Sequence, residues 1–112
     1  MIKKILNQNA TKTDTFLKKY LDKQTFSDLI SPMKYGSLSG GKKIRSSIVL
    51  GAGKLFNIKE VKLLNICAAV ECIHSYSLIH DDLPCMDDDK IRRSKPATHI
   101  KFGESTAILA GN

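Results

Sequence analysis

No stretch of this sequence approaches the 18 or so consecutive apolar residues that a bilayer-crossing helix needs, so no transmembrane segment is expected. Lys3 and Lys4 could open a secretory signal, but Asn7-Gln8-Asn9 ends the apolar stretch too soon. Cysteine is scarce and odd in number: Cys67, Cys72 and Cys85, with no Cys-x-x-Cys, indicate neither a disulfide framework nor a zinc site. A reducing cytoplasm fits. There is no alternating strand pattern, no internal repeat and no low-complexity tract. What remains is ordinary for one globular domain: 42% apolar and 26% charged residues in a chain of 112. The net charge of +7 favours anionic partners such as diphosphates, although a lysine-rich surface with no partner is equally common.

Apolar residues recur at helical spacing through most of the chain, so the expected class is all-α. Phe16, Leu17, Tyr20 and Leu21 mark a helix from Thr13 to about Gln24. Phe26, Leu29, Ile30 and Met33 continue the pattern, with Pro32 predicting a kink or a restart capped by Ser31. Tyr35 to Gly41 reads as a loop, and Ile44, Ile48 and Leu55 mark the next helix. Gly51 and Gly53 cost that helix about 1 kcal/mol each relative to Ala, which a close-packed neighbour would offset. Val61 to His80 is a strong helix, apolar on most sides and so expected at the centre of a bundle. Pro84 stops it, Arg92 to Phe102 is irregular, and Gly103 precedes a last helical start at Glu104 to Ala110.

The chemistry concentrates after that long helix. Asp81, Asp82, Asp87, Asp88 and Asp89 fall within nine residues, and Arg92 and Arg93 follow. Like charges so close repel unless a cation holds them, and hard divalent cations prefer oxygen ligands. Mg²⁺ is held by one or two carboxylates plus substrate phosphates, while an arginine fork grips phosphate oxygens in pairs. Pro84 fixes the backbone between the two acidic groups. His74 lies two turns before Asp81 on the same face. The alternative is a solvated acidic loop. A calcium loop is set aside because its Asp-x-Asp-x-Asp-Gly spacing is absent.

A second signal is Gly40-Gly41-Lys42-Lys43-Ile44-Arg45, which puts Lys42 and Arg45 at a helix start, where free N–H groups favour anions. Gly36 to Lys42 nearly matches a nucleotide phosphate loop, but Lys43 stands where Ser or Thr must reach Mg²⁺, and no strand precedes it. Alone, this motif suits a capped surface helix as well.

Taken together, the two motifs resemble the N-terminal part of an isoprenyl diphosphate synthase, the trans-prenyltransferase family. The likeness runs from about Met33 to Asn112. Asp81-Asp82-Leu83-Pro84-Cys85-Met86-Asp87 is similar to the family's first aspartate-rich motif in its longer form, with Glu71 to His80 before it and Phe102-Gly103-Glu104 after it. The resemblance implies a partial helical bundle of the isoprenoid synthase type, about its first four or five helices, with residues 1–112 as the N-terminal part of one domain. It also implies Mg²⁺ on Asp81 and Asp87 with Asp82 in support, and Arg92 on the allylic diphosphate (dimethylallyl or geranyl). Lys42, Arg45, His74 and Arg93 would then hold isopentenyl diphosphate. Tyr76, five residues before Asp81, stands where an aromatic residue in this family limits the product to fifteen carbons, which favours farnesyl over geranylgeranyl diphosphate; plain core packing is the alternative.

Some positions depart from the family pattern. Ser46 stands where Pro is usual, Asn112 where Asp usually follows Ala-Gly, and Pro32 lies in a segment the family keeps helical. The second aspartate-rich motif and the C-terminal part are absent, so little activity is expected from this chain alone. The rival readings are a non-catalytic Mg²⁺- and diphosphate-binding remnant or split-enzyme half, docking onto a separately encoded C-terminal half, and a geranylgeranyl diphosphate synthase fragment; a homodimer is the other partner considered. A nucleic-acid module is disfavoured, because five carboxylates adjoin Arg92 and Arg93.

Overall fold

The computed structural model describes all residues from Met1 to Asn112. The periodic stretches fold as helices: α1 (Ile2–Asp22), α2 (Ile30–Ser37), α3 (Ile44–Leu55), α4 (Glu60–Asp81), α5 (Thr98–Phe102) and α6 (Glu104–Gly111). The all-α class holds, with six helices where four or five were expected. The segment expected to be irregular instead opens with a minimal antiparallel hairpin of β1 (Ile91–Arg92) and β2 (Lys95–Pro96), pairing Ile91 with Pro96 and Arg92 with Lys95. Its two turn residues, Arg93 and Ser94, both have positive φ (51° and 63°), as a two-residue turn matching strand twist requires.

Local expectations shift in detail. α1 starts eleven residues earlier than the Thr13 boundary read from apolar spacing, because its buried face includes Asn9 and Thr13 beside Leu17 and Leu21. α2 is capped at Leu29, and Ser31 is already helical. Pro32 causes no kink: it sits in the first turn, where its missing N–H has no intrahelical partner to lose. The helix then runs on through Ser37, into the stretch expected to be a loop. On α3 the inward face is Ser46, Leu50 and Gly53, while Ile48 and Leu55 stand 65% and 82% exposed. Gly53 explains the rotation. A Cβ there would strike the Leu63 side chain of α4, so α3 and α4 approach through their smallest residues.

Leu63, Cys67, Glu71, Ser75 and Ile79 line the buried side of α4 at every fourth position. Leu50, Leu63 and Cys67 form one apolar cluster at its start, and Ile79, Leu83 and Ala107 form another at its end, joining α4 to α6. α4 touches α1, α2, α3 and α6, but it is not enclosed. The molecule measures 43 × 31 × 18 Å, and 18 Å is less than two helix diameters of about 10–12 Å. Ile66, Ile73 and Tyr76 therefore lie on an open face.

Candidate anion and metal site

α4 ends at Asp81, and the chain doubles back through Leu83-Pro84-Cys85-Met86. The Met86 and Asp88 N–H groups donate to the Leu83 carbonyl at 2.9 and 3.0 Å, and the Asp87 N–H donates to the Asp81 carbonyl at 2.8 Å. The turn at Pro84 thus sets the backbones of Asp81 and Asp87 side by side. Asp81 is partly exposed and Asp87 exposed. No three His, Cys, Asp or Glu side chains are grouped to hold a metal by themselves. A pair of carboxylates is nevertheless a hard-oxygen donor set of the size Mg²⁺ takes from protein when phosphates and water complete its shell.

Asp82 faces the other way. It is 2% exposed, and its carboxylate accepts Arg92 Nε–H at 2.7 Å on Oδ2 and Nη2–H at 2.7 Å on Oδ1. Hydrogen bonding to Asp82, against the effect of burial, raises the Arg92 guanidinium above its usual range. Asp82, expected to support a metal, and Arg92, expected on a diphosphate, are in this arrangement committed to each other. The hairpin makes that possible, since Arg92 in β1 and Arg93 in the turn diverge.

Arg93 reaches the second feature. Its Nη1–H donates to the Gly40 carbonyl at 2.9 Å, and its guanidinium lies so close over Gly41 (φ 98°) that a Cβ there would sit 2.6 Å from Nη2. Around this contact opens a basin of about 510 Å³ whose walls include Lys42, Arg45, His74 and Arg93. Three separated parts of the chain supply these four side chains. His74 is half-buried; burial foremost, then the Arg45 charge, lowers its pKa below 6.5, with Glu71 opposing. Its imidazole is therefore neutral at pH 7 and can donate one hydrogen bond to an anion.

Two groups escape sequence reasoning. Lys43 adopts the left-handed region (φ 51°) and is only 6% exposed; its Nζ donates to the Ser37 and Gly40 carbonyls at 3.0 and 3.4 Å. It lies 3.6 Å from Asp14 Oδ1, an ionic contact beyond good hydrogen-bond reach. Glu71, 2% exposed at the base of the basin, accepts the Ser46 N–H and hydroxyl on Oε1 at 3.2 and 3.0 Å. Tyr76 stands apart from the basin, 45% exposed and edge-on to His80 at 4.9 Å between centroids. It borders an apolar hollow of about 160 Å³ shared with Leu21, Met33, Cys72 and Ala110.

A helical slab that gathers a doubled-back acidic turn and a four-residue cationic basin defines a class. Residues 27–112 match the family model described as polyprenyl synthetase, and the chain belongs to that family. Among curated proteins it is similar to the farnesyl diphosphate synthase of Escherichia coli, 54% identical over 84 residues, which are 75% of this chain and 28% of that enzyme. It is also similar to the farnesyl diphosphate synthase of Haemophilus influenzae, 44% identical over 109 residues, or 96% of this chain and 37% of that one. Among solved structures, a geranyltransferase from Legionella pneumophila superimposes with TM-score 0.92 at 40% identity, over 97% of this chain and 39% of its own. An FPP/GFPP synthase from Zymomonas mobilis gives 0.90 at 39% identity, over 97% and 40%. The chain thus spans about a third of the length of these curated relatives.

Proposed function

We propose that this chain forms the diphosphate-binding part of a trans-prenyltransferase that joins isopentenyl diphosphate to dimethylallyl diphosphate, giving geranyl diphosphate, and then to geranyl diphosphate, giving farnesyl diphosphate. One observation carries the reading: Lys42, Arg45, His74 and Arg93 line one basin, while the turn that ends α4 brings the backbones of Asp81 and Asp87 together. The names of the relatives supply the chemistry for which such an arrangement is suited. A cytoplasmic location accords with three free cysteines and with the lack of any helix long and apolar enough to cross a membrane.

In this reading Lys42, Arg45 and Arg93 bind the head group of isopentenyl diphosphate, and neutral His74 donates one hydrogen bond to it. Asp81 and Asp87 would hold Mg²⁺, which when bound neutralises diphosphate oxygens and favours their departure as a leaving group. The Asp82–Arg92 pair stiffens the start of the turn that carries these carboxylates. The allylic C–O bond breaks with its electron pair leaving on diphosphate. The isopentenyl double bond then attacks the allylic cation, and loss of one proton restores a double bond. Tyr76 bounds the space open to the growing chain.

Calorimetric titration with geranyl diphosphate tests this. Binding is expected to depend on Mg²⁺, and Asp81→Ala or Asp87→Ala should abolish that dependence while sparing isopentenyl diphosphate binding. Affinity for geranyl diphosphate indifferent to Mg²⁺ and to both substitutions would overturn the reading. A second reading is a non-catalytic binding part, favoured by the absence of any three grouped metal-ligating side chains. It has the same binding signature without turnover.

A further inference from the structure

Under the basin lies a buried carboxylate that the binding reading leaves idle. We propose that Glu71 is a positioning residue: it caps the first turn of α3 from α4, and so sets the spacing of Lys42 and Arg45 against His74 and Arg93. The proposal deepens the diphosphate reading and rests on it.

α3 begins without a side-chain cap of its own, since Lys43 occupies the cap position in the left-handed region. Ser46 is the third residue of the helix, so its N–H belongs to the first turn, whose donors have no intrahelical acceptor. Glu71 Oε1 accepts that N–H and the Ser46 hydroxyl from 25 residues away. A carboxylate this deeply buried is costly unless its hydrogen bonds are made, which holds the two helices in register. The cationic groups flank this link. Arg45 adjoins Ser46 in sequence, Lys42 immediately precedes the cap residue, and His74 lies three residues beyond Glu71, a neighbour on the α4 surface. Lys43, bonded to the Ser37 and Gly40 carbonyls and set against Asp14, braces the same loop from α1.

Charge works against the alternative that Glu71 serves the ligand electrostatically. A negative group beneath an anion site repels the anion, so a purely electrostatic account has affinity rise when the charge is removed, whatever replaces it. Positioning instead depends on the acceptor. A carboxamide oxygen keeps the acceptor, and a methyl group does not.

Affinity for inorganic diphosphate, measured calorimetrically on the 112-residue chain with a chelator present, separates the two, with ellipticity as the folding control. Glu71→Gln is expected to bind as well as the unsubstituted chain or better. Glu71→Ala is expected to bind about tenfold more weakly, the scale of two lost hydrogen bonds. Equal affinity in Glu71→Ala overturns the proposal and leaves the diphosphate reading standing, as does a loss in Glu71→Gln matching that in Glu71→Ala. An unsubstituted chain that does not bind diphosphate overturns both. Should Glu71→Ala fail to fold, Ser46→Ala removes one of the two bonds and keeps the carboxylate; weaker binding at unchanged ellipticity supports the proposal, and unchanged binding overturns it.

Discussion

His74 is the group in the basin's cationic set whose charge changes near neutrality, and its environment sets the direction. Burial first and Arg45 second hold its pKa below 6.5. The unfolded chain then takes up this proton before the folded one does. The contribution to stability is therefore complete above about pH 6.5 and is lost as the pH falls through the depressed folded value. A diphosphate in the basin opposes this shift, because an anion beside the ring favours imidazolium. NMR titration should show His74 protonating below pH 6.5 in the free chain and at higher pH with diphosphate added; a midpoint that ignores diphosphate would place the anion elsewhere. Asp82 makes a second test. Asp82→Asn should destabilise the fold by roughly 1–3 kcal/mol, since the pair is buried on one side and only a third exposed on the other, yet leave Mg²⁺-dependent geranyl diphosphate binding nearly unchanged. Asp81→Asn should do the opposite, and thermal melts paired with titration distinguish them.

Between elements, the α3–α4 contact turns on two glycines of different kinds. Gly51 faces open space and Gly53 faces Leu63. Gly51→Ala should raise stability by about 0.5–1 kcal/mol through helix propensity, and Gly53→Ala should lower it by about 1–3 kcal/mol through overpacking. Denaturant midpoints that moved together would contradict the helix register. The same contact shows what a sequence can reveal. The helices were legible because apolar periodicity survives wherever one side of a helix is covered. The buried face of α3 was not, because helices that approach closely bury Ser46 and Gly53 and leave Ile48 and Leu55 outside. The break at Pro84 was readable from proline geometry, its pairing of Asp81 with Asp87 only through the family resemblance, and the backbone bond between the two accords with both. Buried Lys43 and Glu71 carried no sign of their burial, since Asp14 and Ser46, which face them, lie on other helices. The hairpin at Arg93-Ser94 was hidden for a different reason: neither residue is the Gly or Asn that a turn with two positive φ values favours.

At the scale of the whole chain, an 18 Å slab leaves the α4 face that carries Ile66, Ile73 and Tyr76 open to water. The 112-residue chain incubated with Mg²⁺, dimethylallyl diphosphate and labelled isopentenyl diphosphate should give no extractable fifteen-carbon alcohol after phosphatase treatment. Robust label in that fraction would show that a third of its relatives' length suffices. In a completed, active enzyme carrying this segment, Tyr76→Ala should lengthen the product; an unchanged product would reduce Tyr76 to packing beside His80.

The fork between Arg92 and Asp82 lies largely inside the protein, whereas Lys42, Arg45 and Arg93 stand in water. Dissolved ions screen the second group more strongly, and near 0.15 M they damp exposed charges beyond about 8 Å. Raising ionic strength should therefore weaken the basin's hold on an anion while the latch at the acidic turn stays shut. Salt alone, with no change to the polypeptide, would separate gripping from shape.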